Sequence, residues 1–162
     1  MDAQQSKGEV VDTNDHSDVV AVVLEQHKAA KLGLAEVLNA TGDKREESFR
    51  SLAGVLAAHE GAEEAVIYPA LRALGDNGVK IADARTREEA AAKETLTKLM
   101  GMDTGSADFT DLFQPFMADV LEHATKEEAE VLPLLTASFD DGQRRAMGEA
   151  FRAAQSPATS ST

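Results

Sequence analysis

Two segments of the chain carry a histidine followed four residues later by a glutamate: His59 with Glu63, and His123 with Glu127. On an α-helix this spacing leaves both side chains on one face, one turn apart, so that they can bind one metal ion or two adjacent ions. Imidazole nitrogens and carboxylate oxygens are suitable ligands for divalent transition metals. The spacing therefore predicts that two helices bind metal.

The two motifs belong to an internal repeat. Apolar residues stand ten, seven and three positions before each histidine, and a proline stands ten positions after it. This pattern puts each histidine on the apolar stripe of its helix, so both should face the interior. Because proline has no amide hydrogen, Pro69 and Pro133 should kink or locally loosen their helices just beyond the motifs.

Two more residues with ligand chemistry, His27 and Glu89, lie on the apolar stripes of two other predicted helices. Residues equally far from the turn of an antiparallel helix pair lie at the same level, and by this count both share one layer with the motif histidines. The two motif glutamates then lie about 6 Å along their helices from that layer, where carboxylates could bridge two metals. The candidate metal ligands are His27, His59, Glu63, Glu89, His123 and Glu127.

Four long helices joined by short turns should position these residues. The first should run from a cap at Asn14 or Asp15 to about residue 40, and the second from a cap near Asp43 to about residue 74. The third should end at about residue 100, and the fourth should run from about residue 107 to near residue 137. We expect an all-α fold, an up-down-up-down four-helix bundle in which side chains from all four helices meet in the core.

A short fifth, C-terminal helix should follow, capped by Asp140 or Asp141. Its apolar residues recur at helical spacing, which would lay it against the outside of the bundle as an accessory element. These residues are Met147, Ala150, Phe151 and Ala154. The expected domain spans residues 14–154, between mobile tails at residues 1–13 and 155–162.

The composition excludes several other classes of protein. The chain has 162 residues, enough for one core, and no cysteine, so disulfides, zinc-thiolate sites and all-cysteine iron-sulfur clusters are excluded. A net charge of −13 disfavours nucleic acids and anionic membrane surfaces as partners. The sequence has no signal-peptide pattern and no apolar stretch of the roughly 18 residues that span a bilayer, so the expected location is the cytoplasm.

Three segments, LEQHKAAK, AAHEGAEEAVIYPAL and LEHATKEEAEVLPLL, resemble the hemerythrin-like (HHE cation-binding) family in candidate ligands and in flanking residues. The resemblance covers about residues 15–137. It implies two non-haem irons linked by an oxo or hydroxo bridge, with Glu63 and Glu127 as bridging carboxylates. The iron ligands that it implies by matching position are His27, His59, Glu63, His123 and Glu127.

The third helix departs from the family pattern. The family usually has a histidine ligand there, whereas this chain offers Glu89, with Arg85 and Lys93 one turn to either side. A carboxylate in place of neutral imidazole stabilises the ferric state, which disfavours reversible oxygen carriage. The resemblance therefore implies reaction with dioxygen, peroxide or nitric oxide. If the chain is an enzyme, the expected activity is peroxidase-like, catalase-like or nitric-oxide-reactive. The alternative for Glu89 is an ion pair with Arg85 or Lys93.

Other polar residues near the motifs are expected to have structural roles. Glu60, Glu64 and Glu128 should lie on a solvated face, with Glu60 alone a candidate additional ligand. Tyr68 should contribute packing, and His16 should be an exposed residue with no role. Two other functions stay open: iron storage or sensing without turnover, and a metal-free helical interaction module. Both a monomer and a homodimer are compatible with the sequence.

Overall fold

The computed structural model describes residues 16–156, and all regular structure in this part of the chain is helical. The helices are α1 (Val19–Asn39), α2 (Gly42–Ala62), α3 (Tyr68–Arg72), α4 (Asp76–Met100), α5 (Ala107–Lys126), α6 (Leu132–Ser138) and α7 (Asp141–Gln155). Two π-helical turns, Glu63–Ile67 and Glu127–Val131, connect α2 to α3 and α5 to α6. Residues 16–156 thus form four long helical rods and a shorter fifth helix, which confirms the predicted fold class.

The predicted ends of the chain are described only in part. Residues 1–13 and 157–162, which the sequence assigns to mobile tails, lie outside the described residues. The helix α7 continues to Gln155, one residue into the predicted C-terminal tail. Within the described residues, no helix combines the length and the apolar character needed to cross a membrane.

The starts of the first two rods differ from the prediction. The predicted caps Asn14 and Asp15 lie outside the described residues, and α1 is instead capped by Asp18, whose carboxylate accepts a hydrogen bond from the Val20 amide. The second rod begins at Gly42, so Asp43 lies in its first turn and does not cap it. A carboxylate in the first turn still stabilises the helix through its dipole. Capping predictions failed here because several Asp and Thr residues near each turn could serve equally well.

The two prolines loosen their helices as predicted. In each repeat one amide donates to the carbonyl five residues earlier: Tyr68 to Glu63, and Leu132 to Glu127. The proline follows directly after that amide and cannot donate a hydrogen bond itself, so the helix widens by one residue before it. As a result, each π turn begins at the glutamate of a His-x-x-x-Glu motif.

The apolar core is divided into two clusters. One includes Val23, Ala62, Val131 and Phe151, and the other includes Leu34, Leu56, Phe113 and Phe116. Along α1, Val23 belongs to the first cluster and Leu34 to the second, with buried His27 between them. Polar side chains thus occupy a layer between two apolar clusters, and this arrangement positions the candidate site.

The fifth helix packs against the bundle, on α1 and α2, and the predicted stripe is partly right, because Phe151 is buried and Met147 packs against the core. Ala150 and Ala154 are exposed, and the buried residues of α7 are Arg144, Gly148 and Phe151. The buried arginine is the reason for the error, because a search for apolar residues passes over it. Its side chain donates to the Asp18 carboxylate at 2.9 Å and to the carbonyl of Phe139 at 2.5 Å.

Candidate metal centre

All six candidate ligand residues converge in the layer between the two apolar clusters. They come from four rods: His27 from α1, His59 from α2 with Glu63 from the π turn after it, Glu89 from α4, and His123 from α5 with Glu127 from the second π turn. Five of the six are buried, and the side chain of His123 is 16% exposed. The predicted common depth is therefore present in the structure, while metal binding by these residues stays a prediction.

The ligand atoms form two overlapping sets. One set comprises His27, His59 and Glu127, and the other comprises Glu63, Glu89, His123 and Glu127; within each set the atoms all lie within 4.8 Å of one another. Glu127 belongs to both sets. A carboxylate shared in this way can bridge two ions, so the geometry suits a pair of metals.

The histidines turn their Nε2 atoms towards the carboxylates. His27 Nε2 lies 3.2 Å from Glu127 Oε2, and His59 Nε2 lies 2.7 Å from Glu63 Oε1. His123 Nε2 lies 3.4 Å from Glu89 Oε1 and is also in close contact with Glu127 Oε1. These short approaches bring nitrogen and oxygen donors from different rods to the same points.

Seven of these buried atoms make no well-directed hydrogen bond, although the histidine Nε2 atoms lie close to carboxylate oxygens. They are Nε2 of His27, His59 and His123, one oxygen each of Glu63 and Glu89, and both oxygens of Glu127. Buried polar atoms without partners are rare and costly in native proteins. A metal ion would bind these lone pairs, so the donor set fits one or more cations.

The electrostatics of the layer also favour a cation. Burial, together with the charges of neighbouring carboxylates, raises the pKa of Glu63 and of Glu89. Burial lowers the pKa of His59 to about 4. Burial also lowers the pKa of His123, but its contacts with Glu127 and Glu89 outweigh that effect and raise the pKa to about 10. Burial alone would raise the pKa of Glu127, but its contacts with His123 and His27 outweigh that effect and lower it. A cation would offset the cost of gathering the negative charge of all three carboxylates in one buried layer.

The Nδ1 atom of each histidine is engaged by a side chain outside the predicted ligand set. The pairs are His27 with Glu128 at 3.1 Å, His59 with Gln26 at 2.8 Å, and His123 with Glu88 at 2.9 Å. An Nδ1–H that donates outward leaves Nε2 as the nitrogen available to a metal. The prediction that Glu128 belongs only to a solvated face is therefore wrong. Gln26 and Glu88 were missed, although each directly precedes a candidate ligand in sequence.

Tyr68 has a polar role in the layer that the sequence analysis did not predict. Its hydroxyl lies 2.5 Å from a Glu89 oxygen and 3.1 Å from a Glu63 oxygen, with the phenol as donor. An ideal α-helix turns Tyr68 away from Glu63, but the π turn brings residues five apart onto one face. Burial and the nearby carboxylates raise the pKa of the phenol, so it keeps its proton.

The other sequence-based alternatives are also resolved by the contacts. Arg85 forms ion pairs with Glu88 at 3.1 Å and with Glu130 at 3.2 Å, and not the predicted alternative pair with Glu89. The inward carboxylate of Glu89 instead contacts Tyr68 and His123. Glu60 is half-buried beside the layer but belongs to neither ligand set.

Two predictions of exposure are confirmed. Glu64 is exposed, as is His16, whose side chain is 78% exposed and lies 3.9 Å from Glu25.

A cavity of about 230 Å³ adjoins the layer. The candidate ligands that line it are His27, His59, Glu63, Glu89 and His123, and its apolar wall includes Leu34, Leu56, Ala92, Phe116 and Val120. Lys31, Glu60 and Lys126 also line it. Lys31 and Lys126 are partly exposed, so the cavity extends from the candidate ligands towards the protein surface.

Comparisons with known proteins agree with this geometry. The chain is 28% identical over 97 residues to an uncharacterized hemerythrin-like protein of Schizosaccharomyces pombe. The match covers 59% of this chain but only 48% of that protein, so the chain spans about half the length of this curated relative.

The fold is similar to the crystal structure of a hemerythrin HHE cation binding domain-containing protein of Mycobacterium kansasii. The TM-score is 0.76 at 21% identity, and the match covers 85% of each chain. The sequence model of the hemerythrin HHE cation binding domain matches residues 18–135, which include all six candidate ligands. The chain therefore belongs to the hemerythrin HHE cation binding domain family.

Proposed function

We propose that the chain binds two iron ions and uses them to react with dioxygen, peroxide or nitric oxide. The observation that carries this proposal is the pair of ligand sets that share Glu127. One ion would be held by His27, His59 and Glu127, and the other by Glu63, Glu89, His123 and Glu127. Glu63 would be a second bridging carboxylate, because its Oε1 also lies 2.7 Å from His59 Nε2. Mixed imidazole and carboxylate ligands suit iron in either oxidation state, and each bound iron would supply one-electron redox chemistry.

The residues around the ligands would fix their orientation and charge. Glu128, Gln26 and Glu88 hold the Nδ1 side of the three histidines, which directs each Nε2 inward. Tyr68 keeps its proton, and its hydroxyl donates a hydrogen bond to the buried carboxylates of Glu89 and Glu63, which stabilises their negative charge.

One observation favours reaction over reversible oxygen carriage. Glu89 adds a negative charge where the family usually has a neutral imidazole, and this stabilises the oxidised metal. The cavity beside the layer gives a small molecule room next to the candidate ligands, which any of these reactions requires.

Metal analysis of freshly purified protein, followed by anaerobic addition of peroxide or nitric oxide, tests the proposal. We expect close to two irons per chain and near-ultraviolet absorption bands that change with the oxidant. Normal iron loading without consumption of peroxide or nitric oxide above that of free iron would instead indicate storage or sensing. Iron-free protein that cannot be reconstituted would refute the proposal and favour a metal-free interaction module.

A further inference from the structure

The three candidate histidines are not supported in the same way. The Nδ1 atoms of His27 and His123 face carboxylates, those of Glu128 and Glu88, at 3.1 and 2.9 Å. The Nδ1 atom of His59 faces the neutral side-chain amide of Gln26 at 2.8 Å. A carboxylate partner makes an imidazole a stronger metal donor, so His59 is the weakest donor of the three.

Gln26 is itself held by the fifth helix. Its Oε1 accepts a hydrogen bond from Gln155 Nε2 at 2.6 Å, and its Nε2 donates to Gln155 Oε1 at 2.7 Å. The Gln26 oxygen therefore accepts from both His59 and Gln155, which uses both of its lone pairs. Because an amide oxygen only accepts, the proton of His59 is on Nδ1 and the lone pair of Nε2 is directed to the metal layer.

The fifth helix has little freedom to move away from this contact. The buried ring of Phe151 packs edge-on against His59, with 5.7 Å between ring centroids. Gly148 lies so close to α1's start that a Cβ there would overlap the backbone of Ser17. The buried Arg144 side chain joins α7 to Asp18 at 2.9 Å. The sequence analysis predicts that α7 is only an accessory element. In the structure, α7 contacts the layer of candidate ligands through Gln155 and Phe151.

The two ligand sets also differ in strength. The set with His59 has one carboxylate of its own, Glu127, with Glu63 Oε1 also 2.7 Å from His59 Nε2, whereas the other set has three carboxylates. Less negative charge weakens the hold on a cation.

We propose that Gln26, held by Gln155 of α7, is a positioning residue for His59, and that the ion held by His27, His59 and Glu127 is the first to be released. This inference rests on the proposed two-metal function. It assigns the fifth helix a role in metal retention in addition to its packing.

The test measures release of iron(II) from anaerobically loaded full-length chain to an excess of a ferrous chelator. Wild-type protein should release two irons in two phases. Gln26→Leu removes the acceptor and should accelerate the fast phase at least about tenfold, the usual effect of losing such a partner, while the slow phase changes less than about twofold. The matched control Gln114→Leu, at an exposed glutamine of α5, should release both irons at wild-type rates.

The variant Gln26→Glu separates positioning from mere packing. Its carboxylate still accepts from His59 Nδ1–H and from Gln155 Nε2, but it loses the hydrogen bond that Gln26 Nε2 donates to Gln155 Oε1. Because a carboxylate makes His59 a stronger ligand, the fast phase should become slower than in wild type. A role limited to packing predicts that both Gln26 variants accelerate release or that both leave it unchanged, and either result would overturn the inference.

A spectroscopic measurement provides a second readout. In cobalt(II)-loaded protein each metal-bound imidazole gives a shifted, solvent-exchangeable Nδ1–H proton resonance, and we expect three. Gln26→Leu should broaden or remove one of them by opening His59 to solvent, and three unchanged resonances would contradict the inference. If wild type holds two irons but the Gln26 variants release them normally, only this inference fails; if wild type holds none, the proposed function fails with it.

Discussion

Removal of metal from the chain should lower its melting temperature by about 15–30 °C. Two ions at a thousand times their dissociation constants would stabilise the folded chain by about 8 kcal/mol, and their removal from the buried layer forfeits that stabilisation. For a domain of this size, about 1 kcal/mol corresponds to about 2–4 °C.

Calorimetry of loaded protein, before and after dialysis against a chelator, measures this difference. The exposed His16 provides a matched control, because His16→Ala should show the same loss of stability on chelation as wild type. A double variant, His59→Ala with His123→Ala, removes one histidine from each ligand set and should melt at the same temperature with or without the chelator.

A melting temperature that stays within about 2 °C after complete removal of metal would refute this reasoning, because the ions would then contribute less than about 1 kcal/mol. A large loss that persists in the double variant would also refute it, since the stabilising ions would then bind elsewhere.

Three further outcomes follow from the same geometry. His123→Ala should lose metal as measured by elemental analysis while His16→Ala keeps it, and equal retention would show that the site is misplaced. Tyr68→Phe removes a hydrogen bond to buried carboxylates and should weaken metal binding about 10-fold to 100-fold in a chelator competition, whereas an unchanged affinity would limit Tyr68 to packing. The pKa of His123 is raised to about 10 in metal-free protein, so a metal ion must displace the proton of His123 in order to bind. Titration calorimetry should therefore show an affinity for metal that rises between about pH 6 and pH 8. An affinity for metal that stays equal or falls over this range would contradict the prediction.

The common depth of the candidate ligands could be predicted because it depends on backbone geometry alone. Helix rise and antiparallel packing determine the level of each residue, so counting from the turns was enough to bring His27 and Glu89 to the level of His59 and His123. The match between the two repeats gave a second, independent indication of which faces point inward. The predicted layer and the observed one therefore agree.

The contacts around that layer could not be predicted in the same way. Tyr68 reaches Glu63 only because the helix takes a π turn, and the prolines indicated a loosened helix without indicating which residues would be brought onto one face. The contact of Gln26 with His59 joins α1 to α2 through side-chain conformations that periodicity does not specify. The buried Arg144 is compatible with the core because Asp18, from the other end of the chain, and Asp141 balance its charge.

The most direct test of the account is a crystal structure of iron-loaded protein with anomalous diffraction measured at the iron edge. The account predicts two strong peaks between the four rods, one within bonding distance of His27 and His59, the other within bonding distance of Glu89 and His123, and both beside Glu127. A single peak, peaks at the protein surface, or no peak in this layer while these side chains keep their positions would contradict it.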